Sequence, residues 1–271
     1  MKATVENLYK NANYSYAELA MLIGYGFIIG FLFSFNKWGV NGIYNRAIGT
    51  QNFILYSIIS ILVIFIFTYI QKVVAVIVGA QTSHGLSWAF VLVSVVLCFV
   101  TAGKIIFFIP PTLFIKTDER HLIGRKPVGL SLKNLRVFAL LPILVLTLVA
   151  VFFSQVLPFS HQVASAFYWV CFFTALYSLI PVEFIVNIPL LFAKEKAEVI
   201  LSEHVTDKVE TRGVSLGSLL FYGNMLNFFF ALCFLLSSLI SLAMTGFWFT
   251  ILFACLVTFF ATAVYFVNVE L

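Results

Sequence analysis

The sequence predicts an all-α integral membrane protein: about six transmembrane helices with a re-entrant, partly extended segment at 86–115. Three observations carry this. Of 271 residues, 62% are hydrophobic and 10% are charged, whereas a soluble domain is roughly half apolar and a quarter charged. The mean hydropathy is +1.06, and apolar runs long enough to cross a bilayer recur along the chain. Most of the 16 Lys and Arg residues lie between or before those runs. The net charge of +5 therefore reads as membrane topology rather than as a nucleic-acid surface.

Five runs read as helical spans: 17–35, 52–79, 136–156, 163–180 and 216–242. A sixth, 246–268, is rich in Phe and Thr and has no charge. Each is long enough to cross ~30 Å of hydrocarbon at ~1.5 Å per residue. The polar start, MKATVENLYKNANYSY, has no signal-peptide pattern. No linker or internal repeat divides the chain, so 1–271 reads as a single polytopic domain.

The stretch 86–115 behaves differently. Residues 86–102 could just span, but Gly103-Lys104 interrupts them and IIFFIPPTLFI follows. Pro110-Pro111 bars a helix through that second piece. The expectation is a chain that enters, turns near Gly103 and returns extended, shielded by other helices. A full crossing by 86–102 is the alternative, giving seven helices.

Charge orients the spans. Lys116, Arg120, Arg125, Lys126, Lys133 and Arg136 fall in one connection, and Lys194, Lys196, Lys208 and Arg212 in another. With six spans these loops and both termini share the cytoplasmic side, leaving Lys37 and Arg46 opposite. A multi-pass protein of the plasma membrane with cytoplasmic termini is expected. With seven spans both termini move outside.

Metal and nucleophile patterns are weak. Cys98, Cys171, Cys233 and Cys255 lie singly in apolar runs and read as packing residues. His84, His121, His161 and His204 make no i, i+3 or i, i+4 pair. His84 lies where it could fold back toward Glu183, although a headgroup-level His is the simpler reading. Glu18 and Glu183 read as interface markers. Asn224 and Asn227 read as helix glue.

The run FTYIQKVVAVIVGA (67–80) carries Gln71 and Lys72 near the end of an apolar span. Phe67, Gln71, Ala75 and Gly79 fall four apart and form one helical stripe. Small residues at this spacing admit a close neighbour. Gln71 is expected to face a cavity or the re-entrant strand, with Lys72 snorkelling to the interface. An interfacial position explains both equally well.

This stripe resembles the catalytic helix of the site-2 protease family of intramembrane zinc metalloproteases. There HExxH is followed by a small residue four positions on and Gly four beyond that. Ala75 and Gly79 match, while Phe67, Thr68 and Gln71 stand at the two His and the Glu. FFIPPTLFI (107–115) is similar to the family's FxxPGAxxI strand, keeping Pro110. FALLPILVLTLVA (138–150) looks like the AGPxxN helix, keeping Pro142 but with Leu140, Leu141 and Val145 substituted. YSLIPVEFIVNI (177–188) resembles NLLPxxxLDG, keeping Pro181, with Ser178 for Asn and Val186 for the metal-binding Asp. The resemblance covers about 55–190.

It implies a degenerate member without a metal or other cofactor, since Phe67, Thr68, Gln71 and Val186 supply no zinc ligand of the usual kind and no general base. Gln71, Ala75, Gly79, Pro110, Pro142 and Pro181 would line a groove for a client transmembrane segment. The expected function is a proteolytically inactive membrane protein that binds such a segment, or a subunit of a membrane complex. Its expected contacts are lipids and membrane partners, not nucleic acid. An active metalloprotease with a non-standard site and a small transporter or channel subunit are the alternatives.

Overall fold

Two long antiparallel helices frame a computed structural model that describes residues 13–40, 43–78, 80–117, 132–155, 161–180, 216–217 and 230–237. Helix α1 (Tyr16–Ser34) has 19 residues and α2 (Arg46–Val78) has 33. Both are long and apolar enough to cross a membrane. Between them lie a short 3-10 turn (Phe35–Lys37) and strands β1 (Gly39–Val40) and β2 (Ile43–Tyr44), which pair antiparallel. Asn45 caps α2: its Oδ1 accepts the backbone N–H groups of Ala47 at 3.0 Å and Ile48 at 3.3 Å. That cap starts α2 six residues ahead of the expected span at 52.

The α1–α2 seam runs through Gly26 and Gly30. A Cβ at Gly26 would sit 2.8 Å from Ile61 Cα, and one at Gly30 would collide with the Ser57 backbone. The two helices approach this closely because one presents glycine where the other presents main chain. Leu22, Ile29 and Phe33 of α1 and Val63, Ile64 and Phe67 of α2 are buried in the same core.

After α2 the chain forms β3 (Ala80–Gly85), helix α3 (Trp88–Val100) and β4 (Thr112–Thr117). β3 and β4 pair antiparallel from Ala80↔Thr117 to Gly85↔Thr112. The chain therefore leaves this hairpin at Gly85 and comes back to it at Thr112. The 13 residues of α3 reach only about 20 Å at ~1.5 Å per residue, short of ~30 Å.

The turn that sends the chain back has a stated geometry. Gly103 N–H donates to Cys98 O at 2.8 Å and Ala102 N–H to Phe99 O at 3.1 Å. This is the paired Schellman closure of a helix C-terminus. Ala102 and Gly103 both have positive φ, 52° and 72°. A side chain at Gly103 would also meet Phe35 Cδ1 at 2.8 Å. The returning residues 105–111 are neither helix nor strand. Tyrosines serve their carbonyls: Tyr25 OH donates to Ile109 O, and Tyr177 OH to Ile106 O. Irregular backbone among apolar helices needs such donors.

Helices α4 (Leu132–Gln155) and α5 (His161–Ser178) pack on each other and on α2. Phe153 stacks on Phe167 with ring centroids 4.1 Å apart. Pro142 lies inside α4 and is buried. Cys98 and Cys171 are free and buried, as packing residues.

The expected helices at 17–35, 136–156 and 163–180 are thus present within a few residues. The two-stranded sheet at 80–85 and 112–117 is an addition to the all-α expectation, because β3 needs a partner 27 residues or more along the chain. Of the expected 216–242 and 246–268 helices, 216–217 and 230–237 are helical and the rest lies outside the described residues.

Candidate functional site

Four side chains meet where the start of α1, the end of α2 and β3 converge. Glu18 lies in the first turn of α1, Gln71 and Lys72 in the last two turns of α2, and His84 on β3. All four are buried, with Gln71 at 1% and Lys72 at 2% exposure.

Glu18 is the hub. Its Oε2 accepts from Lys72 Nζ at 2.9 Å. Its Oε1 accepts the His84 backbone N–H at 3.0 Å and lies 2.6 Å from His84 Nδ1. Lys72 Nζ also donates to Asn13 O and Thr82 O, each at 3.2 Å, which uses all three ammonium protons. It sits 4.6 Å from the centroid of the Tyr14 ring. His84 Nε2 lies 2.7 Å from Gln71 Oε1. Burial holds the His84 imidazole below its ordinary range; Glu18 opposes that shift and Lys72 adds to it.

This corrects one expectation and extends two. Lys72 does not snorkel outward, because a carboxylate and two carbonyls hold it inside. Glu18 is enclosed by Lys72 and His84. His84 pairs with Glu18, while Glu183 lies outside the described residues. The available signal was charge balance: Glu18 and Lys72 are opposite charges in neighbouring apolar helices, and burial requires them to meet.

On the other side of Gln71 is a cavity of about 10 Å³ between α2, the 105–111 segment and α5. Phe67, Gln71, Pro110 and Ser178 line it, as do Ile109 and Tyr177. Among the described residues, the buried Gln71 Nε2 has no hydrogen-bond partner. Ser178 Oγ donates to Ala175 O at 2.7 Å.

The residues singled out by the sequence therefore divide. Phe67, Gln71, Pro110 and Ser178 come together at this cavity, although they span 112 positions of the chain (67 to 178, counted inclusively). Ala75 is fully buried one turn beyond Gln71 on the same stripe. Thr68 belongs elsewhere: its hydroxyl lies 2.9 Å from Tyr14 OH and donates to Ile64 O at 2.9 Å. Pro142 is buried in α4 and does not line the cavity. Gly79, Pro181 and Val186 lie outside the described residues.

Among the described residues, no three His, Cys, Asp or Glu side chains come together as a metal-binding group. No protein-family model, characterised protein or solved structure matches the chain.

Proposed function

We propose that the chain is a multi-pass protein of about six spans in the plasma membrane, with cytoplasmic termini and a re-entrant unit at 86–115. On this reading it is a proteolytically inactive relative of the site-2 protease family. It holds a client transmembrane segment or a partner subunit against the groove formed by α2 and the 105–115 segment. The observation that carries the reading is the convergence of Phe67, Gln71, Pro110 and Ser178 on one cavity. These are the positions where the resemblance sets catalytic or substrate-strand residues, and none offers the usual zinc ligand or a general base.

Membrane insertion has its own support. Ile54, Ile58 and Leu62 are exposed on α2 at four-residue spacing, followed by Tyr69. Leu92, Val96, Phe99 and Val100 are exposed on α3. Faces of this kind suit lipid or an apolar partner helix. The support for client binding is strand β4 (Thr112–Thr117), which among the described residues pairs with β3 alone and so leaves a second edge onto which another extended chain can add.

Metal analysis of the purified protein, with a cleavage assay on membrane-embedded peptides, tests the chemistry. The expected result is zinc well below one equivalent and no cleavage. Stoichiometric zinc or peptide hydrolysis would overturn it. A photo-crosslinking residue at Phe107 is expected to trap a transmembrane partner in native membranes, and trapping of lipid alone would remove the client reading. For topology, cysteines at Ala3 and Asn268 are expected to resist external labelling.

A further inference from the structure

Glu18, His84 and Gln71 form a hydrogen-bonded row that ends at the cavity, and its partners fix where the protons go. Lys72 Nζ and the His84 backbone N–H both donate to the Glu18 carboxylate, which keeps it an acceptor. His84 Nδ1, 2.6 Å from that carboxylate, therefore carries a proton. The second ring nitrogen, Nε2, lies 2.7 Å from the Gln71 amide. With Gln71 Oε1 toward the ring, Nε2 must also carry a proton and the imidazole is a cation. Gln71 then turns its unpartnered NH₂ away from His84. With a neutral imidazole, Nε2 is a lone pair and needs the NH₂ instead. A half-turn about the last Gln71 torsion supplies it, at the same heavy-atom positions, and leaves Oε1 facing away.

The groups facing His84 limit when each state exists. From α1 there is Glu18, and from α2 there are Lys72 and the neutral Gln71. Tyr14, ahead of α1, lies under Lys72. On β4 the register partner of His84 is Leu113. Glu18 and Lys72 cancel, so a proton on His84 adds an unbalanced charge to a buried cluster. The neutral state is the resting one, and acid favours the cation.

The far side of Gln71 is built for one small polar molecule. The cavity volume of about 10 Å³ matches a single water. Pro110 and Pro111 bring no N–H to the wall, and the Tyr177 hydroxyl is committed to Ile106 O. Ser178 Oγ, whose proton goes to Ala175 O, contributes an acceptor. Among the described residues, Gln71 is thus the one side chain of this wall that can either donate or accept.

We propose that the cavity beside Gln71 is a site for one water molecule, and that protonation of His84 turns its polar wall from hydrogen-bond acceptor to donor by rotating the Gln71 amide. The proton stays on His84; the amide carries the information across to the cavity, and no bond is made or broken in the Gln71 side chain.

Nuclear magnetic resonance of the full chain in lipid nanodiscs, with ¹⁵N-labelled His and Gln side chains, tests this across about pH 5 to 8, around the ordinary imidazole range. His84→Gln assigns the imidazole signal and Gln71→Met the amide signal. The expected result is loss of the lone-pair Nε2 signal of His84 on acidification. The Gln71 amide protons should shift with the same midpoint and gain a cross-peak to a bound water in acid. A Gln71 amide that does not titrate with His84 would overturn the coupling, and absence of a water cross-peak in acid would overturn the site. Both readouts come from the unsubstituted protein. If Gln71→Met does not fold, Gln71→Glu serves for assignment.

Discussion

Two lysines sit over tyrosine rings at opposite ends of the α1–α2 pair. Lys37 Nζ lies 4.4 Å from the Tyr56 centroid, and Lys72 Nζ 4.6 Å from that of Tyr14. The local contact is the same, but the surroundings are not. Lys37 is exposed and bonds to the Tyr56 hydroxyl, beside a neutral ladder in which Asn52 bonds Lys37 O at 2.7 Å and Gln162 bonds Asn52 at 2.9 Å. Lys72 is buried and has a carboxylate. An exposed ammonium keeps its water, so a ring and a hydroxyl suffice. A buried one has lost its water, so it needs an opposite charge and a full set of acceptors.

The strongest way to break this contrast is Glu18→Ala. It leaves Lys72 buried without its counter-charge, and a loss of about 3–5 kcal/mol is expected in reversible unfolding in detergent. The double change Glu18→Leu with Lys72→Met should recover most of that loss, because the uncompensated charge goes with it. A single and a double variant of equal stability would show that the pair is not coupled.

The seam between the two ends comes next. Gly30→Leu forces a side chain into the Ser57 backbone, and about 1–3 kcal/mol of destabilisation is expected. It should disturb both ends together, which amide hydrogen exchange around Lys72 and around Lys37 would read out. A change at one end alone would mean that the ends move independently.

Acid should separate the ends further. His84 is held below its ordinary range mainly by burial, so the unfolded chain binds a proton before the folded one does. Its contribution to stability is full above the ordinary imidazole value of about 6.5 and is lost as pH falls from there through the lower folded value. The thermal midpoint of the unsubstituted protein should therefore fall in that window more steeply than that of His84→Gln. Parallel curves would exclude His84 as the titrating group. The smallest effect is expected from Lys37→Met, below about 1 kcal/mol by the same unfolding measurement. A loss equal to that of Lys72→Met would erase the contrast.

Much of this architecture is legible from residue order, and some of it is not, for reasons that particular residues make plain. The Gly103 turn and the non-helical return through Pro110-Pro111 follow from local chemistry. Glycine accepts the positive φ of a helix stop, and consecutive prolines cannot continue a helix. The β3 strand AQTSHG carries no alternating apolar pattern, and only pairing with 112–117 makes it a strand. The Phe67–Gln71–Ala75 stripe is visible as a four-residue repeat, yet the same periodicity did not reveal that Thr68 would turn to Tyr14.

The sequence by itself determined the apolar helices at 17–35, 52–79, 136–156 and 163–180 to within a few residues, the interruption between 100 and 111 and the presence of unlike charges inside apolar runs. These rest on composition, on spacing along one helix and on backbone chemistry, all of which act over a few residues. The tertiary structure alone decided that Glu18 meets both Lys72 and His84, residues 54 and 66 positions away. It also decided that Gln71 stands between that cluster and a cavity. Whether a charge is solvated or paired depends on what lies within a few ångströms through space, and a distance of that kind is fixed only when the helices and the hairpin pack.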